Sequence, residues 1–264
     1  MSATLRTIRR VNLLGRPTIE TQQPGFPIRS RKSWALLAYL LLSHRAPTRR
    51  ELASLLFARA DDPLAALRWT MSDVRRALGA DAVIAGDPVK LQLSSGVVVD
   101  VSVVLTGPSD EAIHVQTLGS ELLEGLSIPG AFDFESWLLG AQRRVGVATV
   151  EVLREAAEAA VSRGDYESAL GHAVRLSTLA RLDEHTHAML VALYRLVGDD
   201  LAARRQYTTG ANILHAELGV SPGQAMRSAL CQPLPRLLGE PGSGRPVLTG
   251  PTRHGNAGAA VPCG

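Results

Sequence analysis

The sequence predicts a mainly α protein of two units, the first edged by short β-strands and the second all-helical. Three observations predict it. Segments between residues 31 and 79 carry apolar residues at helical spacing between clear start and stop signals. Residues 82–100 alternate like strands around two turns. Gly-Asp pairs then recur 34 residues apart in the second half.

The chain opens with "TLRTIRRVNLLGRPTIETQQPGFPI", where β-branched residues are interrupted by Gly15-Arg16-Pro17 and Pro24-Gly25. Such punctuation favours three or so short strands over a helix. "RSRKSWALLAYLLLSHRA" follows, a dense apolar run bounded by basic residues and Pro47, which suits a buried helix of about three turns. In "TRRELASLLF", Thr48 and Glu51 form a capping box, each side chain satisfying a free amide at the helix start. Leu52, Leu55 and Leu56 make that helix's apolar stripe.

Asp62-Pro63 opens a third helix with an N-cap and a proline at the first position, where its missing amide costs nothing. Gly79 suits its end. Leu64, Leu67, Met71, Val74 and Leu78 fall on one expected buried stripe. At about 100° per residue, Ala65, Trp69, Ser72 and Arg76 project almost opposite it, with Arg68 and Arg75 on the flanks. A shift of helical phase would instead make Trp69 a core residue. "AVIAGDPVKLQLSSGVVVD" then reads as strand, turn at Gly86-Asp87-Pro88, strand, turn at Ser94-Ser95-Gly96, and a last strand.

In the second half, "SRGDYESALGHAVRLS" and "RLVGDDLAARRQYTTG" align with Gly164 on Gly198, Asp165 on Asp199 and Ala169 on Ala203. A period of 34 is that of the tetratricopeptide unit, two helices with Gly-Asp at the turn and a small residue at their close crossing. The flanking segments are helical by pattern, so a right-handed stack of roughly six helices is expected over residues 132–232. From Gly239 the chain is Gly/Pro-rich with few large apolar groups, too few to offset the entropy of ordering, and a disordered tail is expected.

Composition narrows the function classes. Residues 1–105 hold 15 basic against 8 acidic residues, and residues 106–238 hold 11 against 16. A basic unit followed by an acidic one suggests that the first faces a polyanion. Arginine makes up 26 of the 28 basic residues, which a GC-rich genome would explain, but that does not explain the change of sign between halves. The two cysteines, Cys231 and Cys263, form neither a disulfide framework nor a metal cluster and suit a reducing cytoplasm. The longest apolar run, "WALLAYLLL", is too short to span a bilayer, and the start lacks the features of a signal peptide, so no membrane partner is expected. There is no HExxH, no GxSxG and no phosphate-cradling glycine loop. His185 and His187, two apart, lie on different helix faces. Neither an enzyme, a cofactor nor a metal site is expected.

Strands, three helices and a closing hairpin make a winged helix-turn-helix, here with the opening strands of the OmpR type. Its third helix would enter a major groove, with Lys90 on the hairpin beside the backbone. With "VNLLGRPTIE", "RSRKSWALLAYLLL", "RRELASLLF", "LRWTMSDVRRALG", "RGDYESAL" and "LHAELGVSP" in this order, the chain resembles the antibiotic regulatory protein (SARP) family over roughly residues 5–235. The resemblance implies an OmpR-type winged-helix DNA-binding domain over 1–100, a tetratricopeptide-like bacterial transcriptional activator domain over 101–238, and a tail over 239–264. It also implies a sequence-specific activator on double-stranded DNA that binds repeated promoter-proximal sites. Such an activator recruits RNA polymerase, pairs as a homodimer on DNA and controls a biosynthetic gene cluster. The alternative is an interaction adaptor that binds peptide through its repeats without productive DNA binding.

The groove-facing candidates carried over are Arg68, Trp69, Ser72, Arg75 and Arg76, with Lys90 on the wing. The order of residues does not assign which arginine reads a base and which a phosphate. Arg29, Arg31 and Lys32 at the first helix start, and Arg49 and Arg50 at the second, either touch phosphate or only solubilise. A helix N-terminus favours phosphate in any case. Two residues depart from the family pattern: Val89 stands where an aromatic is common in the wing, and Arg181 stands where proline usually separates repeat units.

Overall fold

The computed structural model describes residues 8–21 and 26–231. The segment from Gly239 onward, expected to be disordered, lies outside the described residues.

Before the first helix the described residues hold two strands, β1 (Ile8–Asn12) and β2 (Thr18–Thr21), paired antiparallel from Ile8 opposite Thr21 to Asn12 opposite Thr18. Their sheet takes its third member from far along the chain. β5 (Val98–Val99) lies parallel to β1, with Arg10 opposite Val98 and Val11 opposite Val99. The last strand expected after the hairpin therefore leaves it. The turn at Ser94–Gly96 carries the chain back across the unit, and the hairpin proper is β3 (Ala82–Ala85) and β4 (Lys90–Leu93) alone.

Three helices lie between the sheets: α1 (Arg31–Leu42), α2 (Arg49–Phe57) and α3 (Pro63–Leu78). In α1, Ala35, Leu36, Leu37 and Ala38 are all buried, as an unbroken apolar run requires. α2 begins with both bonds of the capping box, Thr48 Oγ1 accepting from the Glu51 amide and Glu51 accepting from the Thr48 amide. α3 is started by Asp62, whose carboxylate accepts from the Ala65 amide at 2.8 Å, with Pro63 next, and stops at Gly79.

After β5 come two short helices, α4 (Asp100–Thr106) and α5 (Ser109–Ala112), and then the helical array. Instead of roughly six helices over residues 132–232, the described residues hold five: α6 (Phe132–Ser162), α7 (Tyr166–Leu179), α8 (Glu184–Leu196), α9 (Asp200–Leu218) and α10 (Gln224–Cys231). α6 accounts for the difference. Its 31 residues contain Gly140 and Gly146 but no proline, so nothing removes a backbone donor and forces a break.

The 34-residue period is present bond by bond. Gly164 and Gly198 both take positive φ, 75° and 82°. Asp165 and Asp199 cap the next helix by accepting from Ser168 and Ala202 amides. Their own amides donate to Ala160 and Tyr194, again 34 apart, and Ala169 and Ala203 are both fully buried. α10 packs over α8 and closes the array, placing Met226 and Ala229 among Ala188, Val191 and Leu214.

One core runs through both units, from Val11, Leu36 and Met71 to Phe134, Leu138 and Leu153 of α6. Tyr39 of α1 meets Trp137 of α6 at 4.8 Å between ring centroids. Leu13–Gly15, between β1 and β2, is hydrogen-bonded to 121–124. Beneath that seam lies the buried Asp100, whose carboxylate accepts from the amides of Leu13, Leu14 and Val101 and from Thr117 Oγ1. Burial pushes the Asp100 carboxyl above its ordinary range, against the pull of these four donors.

Candidate nucleic-acid interface

α3 is held by its inner stripe. Leu67, Met71, Val74 and Leu78 are buried, together with Thr70, whose hydroxyl folds back to the Ala66 carbonyl. Leu64, expected on this stripe, is 46% exposed: it stands in the first turn, before the helix reaches the core. Trp69 is 79% exposed, so the helical phase that points it outward is the observed one. Arg68, Ser72 and Arg76 are exposed beside it.

The arginines of α3 differ in their attachments. Arg75 donates from Nε and Nη2 to the Ile84 carbonyl of β3, at 3.1 and 2.8 Å, tying helix to hairpin. Arg76 donates from Nη2 to Asp73 Oδ1 at 2.7 Å, and its guanidinium stands 5.8 Å from the Phe26 ring centroid. Asp73 is itself fixed, because Oδ2 accepts from Ser33 Oγ of α1 at 2.7 Å. Arg68 has a loose relation to Asp62, at 3.9 Å.

An open cleft of about 570 Å³ separates α3 from the start of α1, with Trp69 and Arg76 on one side and Phe26, Arg29 and Ser30 on the other. Arg29 is thus brought to α3. Arg31 is exposed at the first position of α1 without lining this cleft, and Lys32 Nζ sits 4.3 Å over the Phe57 ring at the end of α2.

The second helix start is not an open anion seat. The Arg49 amide donates to Asp87 Oδ1 at 2.9 Å, and Arg49 Nε reaches the Gly86 carbonyl. The hairpin turn therefore supplies its own carboxylate to an amide that a phosphate would use. Val89 is buried there, its amide donating to Pro47, which explains an aliphatic residue at that place. Lys90, the next residue, is exposed at the start of β4.

Sequence reasoning placed Asp73 on this face as a partial charge balance for the arginines but did not find Ser33, Asp87 and Phe26 as parts of the surface. The i, i+3 spacing of Asp73 and Arg76 is visible in the sequence, but the Ser33 and Asp87 contacts cross 40 and 38 residues. In the helical unit, His187 is a buried, satisfied side chain. Nε2 donates to the Arg181 carbonyl and Nδ1 accepts from the Gln206 amide, both at 2.8 Å, whereas His185 is exposed. Arg181 itself pairs with Glu217 at 3.0 Å.

The chain thus builds a winged helix, whose third helix presents aromatic and basic side chains, onto a helical repeat array. Residues 111–231 match the family model described as "Bacterial transcriptional activator domain". That match lies within the helical unit and takes in under half of the chain. A solved structure of Mycobacterium tuberculosis EmbR in complex with a low affinity phosphopeptide shares the fold, at a TM-score of 0.60 and 18% identity. The match covers 85% of this chain and 64% of that one, so the chain spans under two thirds of the length of this relative. No curated protein matches the chain significantly.

Proposed function

We propose that the chain is a cytoplasmic, sequence-specific transcriptional activator that binds repeated promoter-proximal sites in double-stranded DNA. In this reading α3 enters a major groove with Arg68, Trp69, Ser72 and Arg76, and the hairpin sets Lys90 beside the backbone. The acidic helical unit contacts RNA polymerase or a second copy on DNA, and the regulated genes form a biosynthetic cluster. The observation that carries the reading is the outer face of α3. A large aromatic is left 79% exposed among arginines, on a helix whose opposite face is locked into the core.

The domain limits proposed with this function are 1–100 and 101–238. The adaptor reading has less support, since it leaves the exposed aromatic and arginines of α3 without a task. A gel-shift and footprint series over the upstream regions of neighbouring genes tests the activator. Protection of repeated sites at moderate salt is the expected result; a folded protein that retains no specific fragment overturns it.

A further inference from the structure

We propose that the three arginines of α3 have three different duties, an inference that rests on the DNA-binding reading above. Arg68 reads a base edge. Arg76 grips a phosphate in an orientation preset by Asp73 and Ser33. Arg75 touches no DNA and positions the hairpin.

Attachment and place on the helix separate them. Arg75 has committed two donor groups to one partly buried carbonyl of β3, at 3.1 and 2.8 Å. Turning it toward DNA would leave the partly buried Ile84 carbonyl without both of those donors, a cost that an exposed contact has to offset. Arg68 stands in the second turn of α3, the end of a recognition helix that approaches base edges, next to the exposed Trp69. Its side chain is 65% exposed, and at 3.9 Å from Asp62 it keeps its whole fork available for a bidentate contact such as guanine O6 and N7.

Arg76 lies two turns further on, beside the cleft that Arg29 closes from the other side. The chain Ser33 Oγ to Asp73 to Arg76 Nη2, both links at 2.7 Å, orients the guanidinium before any ligand arrives and uses only Nη2 of its fork on Asp73. Preset orientation lowers the entropy lost on binding, and an arginine at the rim of the helix, facing a second arginine across an open cleft, matches a sugar–phosphate strand. Asp73 is then a positioning residue: an acidic group that aids the binding of an anion.

That last point gives a sharp test. Duplexes are selected from a randomised pool by the wild-type protein, and affinity for the selected and an unselected duplex is measured across a salt series, with Tm recorded for each variant. Arg68→Ala is expected to lose about ten- to a hundredfold in affinity for the selected duplex and to relax preference at one base pair. Arg76→Ala is expected to weaken both duplexes by a common factor and to reduce the salt slope by about 0.9. Asp73→Asn and Ser33→Ala are expected to weaken both duplexes too, although Asp73→Asn removes a negative charge, and Arg75→Ala to lower Tm without changing the ratio between duplexes or the salt slope.

Tighter binding by Asp73→Asn at unchanged Tm overturns the positioning role, since simple repulsion of the backbone would then be its effect. Relaxed base preference in Arg76→Ala with an unchanged salt slope overturns the assignment. A wild-type protein that is folded yet selects no duplex and shows no salt-dependent binding removes the DNA reading itself, and this proposal with it.

Discussion

Trp69 and Glu51 show how differently single residues act in this chain. Trp69 is so exposed that its removal takes little from the core, and Trp69→Ala should change stability by less than about 0.5 kcal/mol while lowering affinity for the selected duplex. Denaturation and duplex titration of the same sample check both halves. Glu51 is held by the Arg45 guanidinium and then by the Thr48 amide, which lower its carboxyl from 4.5 to about 2. Its ionised form is the one favoured by folding, so its contribution is fully present above pH 4.5 and is lost as pH falls toward about 2. Unfolding midpoints of the wild type and Glu51→Gln should therefore differ most above that window and converge below it. A gap that stays constant through the window would refute this.

Elements show what a sequence can and cannot display. The capping box of α2, the Asp62-Pro63 start and Gly79 stop of α3, and the Gly-Asp turns of the repeat all rest on residues within a few positions of one another. All were legible. The fate of β5 was not, because its partner Arg10 lies 88 residues away and two consecutive valines fit either sheet equally. The interface divides the same way: the outward face of α3 follows from its period, whereas Asp87 seated on the Arg49 amide and Ser33 seated on Asp73 are meetings of distant segments. α10 carries a prediction of its own. Met226 is fully buried against α8 and α9, with its methyl close to Gly210, where an added side-chain carbon would lie 2.9 Å away. Met226→Ala should cost about 2–3 kcal/mol, and amide exchange should rise first in α8, whose outer face α10 covers.

At the scale of the molecule, the two units are joined by structure rather than by a tether. The Leu13–Gly15 seam, the Asp100 carboxylate beneath it and the Tyr39–Trp137 contact draw on residues from both sides. A fragment ending at residue 100 would keep β5 and lose Leu122 and Leu123, both almost fully buried. It should lack a cooperative thermal transition, while a fragment carried through α6 should retain one, as calorimetry can determine. The seam also turns the helical unit into a fixed bearing. A protomer seated on DNA as proposed points its second unit along one compass direction around the duplex, and a neighbour one helical turn away, about 10.5 base pairs, points the same way. Insertion of about five base pairs between adjacent sites would rotate the two out of phase, and cooperative occupancy should fall with the angle of rotation rather than with the added distance.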